Sequence, residues 1–235
     1  MIELSLNISF KNIYTKAIGL FDDPKLTIAY NTNLMQFYKL MYTYLQNSIS
    51  LFNNPLSAVR LLGAYKEPKG QMEVFVGDGE TKEFVLDENF ELLDNSIYQY
   101  VIDGEIVNAI INKNDRKIIF PKVIEKDKEA SVEQYFIGEF QSSFDATMAK
   151  PEQQMIMINQ VQDILARLLV KSWGENTRNF LLDIQNILMD SDFKLHSASA
   201  ALSSKNAWLN QLDQEILQYQ NKLAWNMKML SVVQK

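Results

Sequence analysis

Gly77-Asp78-Gly79 is the first place in this 235-residue chain where residue types and spacing suggest chemistry. Two glycines around an acid suit a phosphate cradle or a calcium loop. A Walker loop, however, continues Gly-Lys-Ser/Thr into a helix, and here Glu80-Thr81-Lys82 leads into an apolar, strand-like run. An EF-hand loop needs acids at alternate positions and a closing Glu at its twelfth, a pattern not met here. The tripeptide therefore reads as a structural turn. His196, the only histidine, lies in Lys194-Leu195-His196-Ser197-Ala198-Ser199. With no Gly-x-Ser-x-Gly elbow anywhere, it reads as a helix-terminus or interface residue rather than a catalytic base.

The absence of cysteine removes disulfides, thiolate metal sites and cysteine nucleophiles, and a lone histidine removes multi-histidine sites. Acids suited to glycoside hydrolysis crowd into turns and solvent-facing strand positions, where solvation explains them. Tyr98, Tyr100, Tyr135, Phe136 and Phe140 form a candidate sugar-binding face, although strands favour aromatics for packing alone. Met155-Ile156-Met157 and Met227-Lys228-Met229 fit a core or an adaptable interface. No residue is assigned a catalytic, cofactor-binding or metal-ligating role, no cofactor is expected, and the chain is not expected to be an enzyme.

The elements that would position these residues follow from periodicity. Ile2, Leu4, Leu6, Ile8 and Phe10 alternate with polar residues, which predicts a half-buried strand over Ile2–Phe10 that pairs with the later sheet or a neighbouring subunit. Asp22-Asp23-Pro24 is expected to break the chain before the apolar Leu26-Thr27-Ile28. Asn33 is a candidate N-cap for a helix ending near Asn53-Asn54-Pro55, with a further turn over Ala58–Leu62. From Met72 to Phe140 the pattern changes to short strands: Glu73–Val76, Lys82–Leu86, Tyr98–Ile102, Glu105–Ile111, Arg116–Phe120 and Val132–Phe140. Asp78-Gly79 and Asp103-Gly104 are the hairpin signals between them.

At Lys150-Pro151 the period becomes helical again. One helix is expected from Pro151 to Trp173-Gly174, a second from Phe180 to Leu188, stopping near Asp190-Ser191-Asp192, and a third from Ser203 or Ser204 to Val232. The third carries the seam Leu209, Leu212, Ile216, Tyr219, Leu223, Met227 and Leu230, with Trp208, Leu217 and Trp225 off it as a second buried contact. The fold class is thus α+β, a discontinuous helical bundle of about four helices with an inserted small antiparallel β domain. Residues 1–66 and 149–235 form the helical body with an N-terminal strand arm, and 67–148 the β-rich insertion.

The net charge of −6 conceals a split. Residues 67–148 hold eighteen acids and eight bases, −10, and the rest of the chain carries +4. Neither part has the clustered basic stripe of a dedicated nucleic-acid binder. No stretch is long and apolar enough to span a membrane, and the N-terminus lacks the pattern of a secretory signal, so a soluble intracellular chain is expected. Apolar residues on more than one side of the helices predict an oligomer interface.

Val74-Phe75-Val76-Gly77-Asp78-Gly79-Glu80-Thr81-Lys82-Glu83-Phe84-Val85-Leu86 resembles a small β module of phage virion proteins, F-x-G-D-G-x-T-x-x-F-x-L. The match continues in Val101-Ile102-Asp103-Gly104 and Lys117-Ile118-Ile119-Phe120-Pro121, where Pro121 follows Phe120 directly instead of after two intervening residues. Helix, β insert, then helices is an order similar to that of the head-to-tail adaptors of short-tailed phages. The resemblance implies a structural neck or tail protein of the virion. It implies a homo-oligomeric, dodecameric ring that joins the portal protein to other tail or neck proteins. Genomic DNA would pass through without sequence-specific binding, and no membrane is involved. The alternative is a tail-fibre or baseplate attachment protein with a glycan- or partner-binding β module.

Overall fold

The computed structural model describes residues 8–21, 23–59, 62, 65–140, 151–188 and 195–233, with side chains except at 56–57, 151, 183–188, 195–198 and 230–233. The chain is mixed α+β and divides into two compact units. The first holds residues 1–65 and 140–235, the second Lys66–Glu139. Among the described residues are five helices of nine residues or more, one single-turn helix and three small antiparallel sheets. No helix among them is long and apolar enough to cross a membrane.

Strand β1 (Ile8–Ser9) opens the described part of the first unit; β1, β2 (Tyr65–Lys66) and β10 (Glu139–Phe140) form a three-stranded ribbon of order β1-β10-β2. The expected strand Ile2–Phe10 is corrected at its end, since Phe10 already opens helix α1 (Phe10–Ile18); residues 1–7 lie outside the described residues. Phe10 belongs to both periods. It ends the alternation, and it also starts the buried set Phe10, Ile13, Tyr14 and Ala17, spaced three, one and three. Asp23-Pro24 starts an element rather than breaking the chain. The Asp23 carboxylate accepts from the Lys25 N–H at 2.9 Å, and Pro24 takes the first position of α2 (Pro24–Thr32). Asn33 caps α3 (Leu34–Leu51) through the Gln36 N–H at 3.1 Å, and the single turn α4 (Leu56–Val59) follows.

Two long helices complete this unit, α5 (Pro151–Leu188) and α6 (Leu195–Val233). Sequence reading placed three helices here. Gly174 does not end the first of them but lies inside α5, because its missing side chain lets α6 come close. A Cβ there would stand 2.4 Å from Trp208 Cζ3 and 2.9 Å from Leu209 Cδ2. α6 begins before Ser203, in a Ser/Ala-rich stretch too small-sided to show a period.

The pair runs antiparallel, as shown by Gln160 beside Asn226, Arg167 beside Glu215, Lys171 beside Asp213 and Trp173 beside Trp208. Lys205 is buried over the rings of Trp173 and Trp208, at 4.3 and 4.2 Å from their centroids. The middle of α5 is buried around most of its circumference (Val161, Ile164, Leu165, Ala166, Leu168, Leu169, Val170). α1 and α3 pack on it as well as α6.

In the second unit a four-stranded sheet has the order β3-β9-β5-β6: β3 (Lys69–Val76), β9 (Glu129–Phe136), β5 (Ser96–Ile102) and β6 (Glu105–Val107). A three-stranded sheet has the order β4-β8-β7: β4 (Glu83–Val85), β8 (Lys117–Ile119) and β7 (Ile110–Asn112). Both give their inner faces to one core that includes Phe75, Ile102, Ala130 and Val132 from the first and Ile118 from the second, with Leu86, Phe90, Phe120 and Ile124 from loops.

The expected strand Glu105–Ile111 is two strands in different sheets, broken at Asn108-Ala109. Asp103-Gly104 makes the expected hairpin between β5 and β6, with φ of 51° and 84° as a type I′ turn requires. Asp78-Gly79 does not: β3 pairs with β9 and β4 with β8, so this turn carries the chain from one sheet to the other.

Two predictions follow from this packing. Gly174→Ala, which in an exposed helix would gain up to about 1 kcal/mol of propensity, is expected here to destabilise by about 1–3 kcal/mol through overpacking. Urea unfolding measures the sign. The ends of the second unit are tied by the Lys66–Glu139 ion pair at 3.4 Å and by Asn95 Nδ2 donating to Glu139 at 2.8 Å. Lys66–Glu139 expressed alone is therefore expected to fold, giving a cooperative thermal transition and dispersed amide resonances.

Candidate functional site

The G-D-G-x-T segment is explained by the bonds it makes. Gly77 N–H donates to Lys128 O at 2.8 Å, Gly79 N–H to Ile124 O at 3.1 Å, and Ile124 N–H to Thr81 O at 3.1 Å. A Cβ on Gly77 would lie 2.2 Å from Glu125 O, so only glycine fits against that backbone, while Gly79 has a φ of +83°. The Asp78 carboxylate accepts from the Thr81 hydroxyl and from the N–H groups of Glu80 and Thr81, at 2.8 and 2.7 Å. The Thr81 hydroxyl and then these amides hold the Asp78 carboxyl down at about 2. The Asp78 carboxylate and the Thr81 hydroxyl are used within the loop, and the Gly77 and Gly79 amides are used on the facing 124–128 segment.

The candidate aromatic face is also spent on packing. Tyr135, Phe136 and Phe140 are buried, and Tyr98 and Tyr100 lie against the second unit's core. Burial pushes the Tyr100 hydroxyl up to about 12 and raises Tyr98 as well. The His196 side chain lies outside the described residues. Among the described residues no group of three or more Asp, Glu or His side chains is placed to hold a metal ion.

What the structure does bring together is an apolar row on the outer face of the four-stranded sheet. The register aligns Val74, Ser131, Val101 and Ile106 across β3, β9, β5 and β6. The neighbouring row, Phe75, Ala130 and Ile102, is the buried one. Period two puts the first row outward, and Ile106 is 71% exposed, Met72 65% and Val76 62%.

Along this row lies an open hollow of about 520 Å³, lined by Met72, Val74 and Val101 together with Asp103, Asp127 and Glu129. Its one lysine, Lys128, is engaged by Asp103 at 2.7 Å, and that bond raises the ammonium's pKa. Sequence reading missed this site because the strand beginning at Glu129 was placed at Val132. The signal was present in the alternation of Val74 and Val76 with Phe75, which gives β3 a second apolar face.

A second apolar surface lies on α6. Trp225 is 64% exposed and Met229 49%, while Lys222 and Lys228 are exposed on either side. Steps of three and four from Trp225 place all four on one side of the helix. Trp208, Leu217 and Trp225, read as a second buried contact, separate in the structure. Trp208 packs at Gly174, whereas Leu217 and Trp225 face outward. On α5 Met155 and Ile156 are exposed and Met157 is buried.

Protonation of the Asp78 turn gives a further expected outcome. Because the carboxyl is held below its ordinary 3.8, its stabilisation is complete above that value and is lost as pH falls through about 2. A carboxyl-carbon NMR titration is expected to find this low midpoint, and Thr81→Val should move it back towards 3.8.

No family model, curated protein or solved structure matches the chain.

Proposed function

We propose that this chain is a structural subunit of a phage virion, a neck or head-to-tail connector protein that assembles into a ring between portal and tail. It is read as a helical body carrying an inserted β domain that presents surfaces for assembly, with no catalytic role. The observation that carries the reading is the apolar surface a single copy leaves in water: Met72, Val74, Val76 and Ile106 on one sheet face, and Trp225 on α6. Single exposed apolar residues are ordinary, but a row aligned across a sheet beside a hollow marks a contact surface. The phage-type motif gives the reading its setting, since its G-D-G-x-T residues each have a structural task in joining the two sheets.

The attachment alternative receives less support in its glycan-binding form, because the five aromatics proposed for it are packed inward. The acidity of the second unit suits an assembly through which DNA passes, as negative walls do not retain a polyanion.

The reading is tested on the purified full-length chain by sedimentation velocity and negative-stain imaging, alone and mixed with portal and tail proteins encoded beside it. Closed rings of roughly a dozen copies are the expected result, either alone or on the portal. A chain that remains a single copy in every mixture would overturn it, as would catalytic turnover of a cell-wall polymer.

A further inference from the structure

The ring reading leaves open which surfaces meet, and the following inference rests on that reading. We infer that the exposed stripe of α6 in one copy docks into the acid-lined hollow on the β unit of the next copy, a head-to-tail contact. Three observations point to this pairing.

The first is exposed apolar surface on both sides. Met72, Val74 and Val101 are among the residues lining the open hollow, and Trp225 is an exposed aromatic of the kind that anchors protein interfaces. The second is charge. Asp103 is paired with Lys128, which leaves Asp127 and Glu129 as the acids in excess at the hollow, while the Trp225 stripe is flanked by Lys222 and Lys228. A hydrophobic centre within complementary charges sets register and rejects wrong pairings.

The third is that the two surfaces differ. A contact between unlike surfaces is heterologous, and heterologous contacts build rings when their rotation closes, whereas a sheet face pairing with itself gives only a two-fold dimer. The sheet face opposed to its own copy would set acid against acid, so self-pairing of the hollow is disfavoured.

Charge reversal on each side separates this contact from any other. Asp127→Lys with Glu129→Lys makes the hollow basic, and Lys222→Glu with Lys228→Glu makes the stripe acidic. All four positions are exposed, so circular dichroism should match the parent, with only a small drop in melting temperature expected from a lysine at the left-handed φ of 64° that Asp127 adopts. Each double variant alone is expected to need at least about tenfold more protein for half-assembly by sedimentation. An equimolar mixture should recover assembly by alternating the two, and so should one chain carrying all four changes.

If either double variant assembles like the parent, the inferred contact is wrong and the ring reading stands. Loss in both variants without recovery in the mixture or the fourfold variant also overturns the pairing. A parent chain that associates only with another virion protein, through the same hollow, assigns the surface to that protein. A parent that never associates removes the ring reading as well.

Discussion

A helix whose buried residues occupy most of its circumference must be covered on more than one side, and the middle of α5 imposes that condition on the first unit. Burying each large aliphatic side chain there contributes about 1.5–3 kcal/mol. Residues from Val161 to Val170 supply six such positions, with Ala166 buried among them. No single partner helix covers so much of a cylinder, so α1, α3 and α6 share it. The charged groups that occur within this span are spent on holding those neighbours in place: Asp163 receives Lys16 from α1 at 2.7 Å, and Arg167 reaches Glu215 at 3.2 Å with its guanidinium 3.8 Å from the Tyr219 centroid. Gly174 lies just beyond this region, where the close approach of α6 brings Trp208 against the α5 backbone.

The β unit solves a different problem. Two sheets this small bury enough only by sharing a core, and the chain must cross between them without leaving backbone polar groups unpaired. The G-D-G-x-T segment and the loop at 124–128 provide the crossing by bonding to each other, and Arg116 fixes a second one by donating to the carbonyls of Asp87 and Phe90 at 2.6 and 2.9 Å. Once the inner faces are committed to this core, the outer face of the four-stranded sheet has no covering element within the unit.

Much of this was legible in the residues. The helix from Asn33, the change to strands after residue 66, the Asp103-Gly104 hairpin and the return to helix at Pro151 all carry strong local signals. The losses have distinct causes. Phe10 satisfies both a strand and a helix period, and only packing against Phe140, at 4.8 Å between centroids, shows where it belongs. Gly174 after Trp173 imitates a helix end, because glycine serves C-caps and close helix contacts alike, and the sequence near it does not name Trp208 as the neighbour. Glu105–Ile111 looks continuous because both its halves are apolar, yet the sheets they join are set by long-range pairing. The candidate site was harder still. Its acids come from the Asp103 turn, the Asp127 turn and the start of β9, which only the register brings beside Val74 and Val101.

Exposed apolar rows carry a cost, since an unguarded sheet face invites indiscriminate association. Here the row is bordered by carboxylates, and the α6 stripe by lysines, so each surface alone repels its own kind at short range. In the proposed contact, such an arrangement would keep single copies apart until unlike faces meet. On the proposed head-to-tail contact the difference in charge has a use: an acidic β unit and a more basic helical unit would supply the two halves of a contact between successive, identical subunits. A two-fold dimer would need each surface to complement itself, and acids facing acids do not. The charge split along the chain, which alone has many explanations, thus acquires a direction when read together with the sheet register and the helical spacing of Lys222, Trp225, Lys228 and Met229.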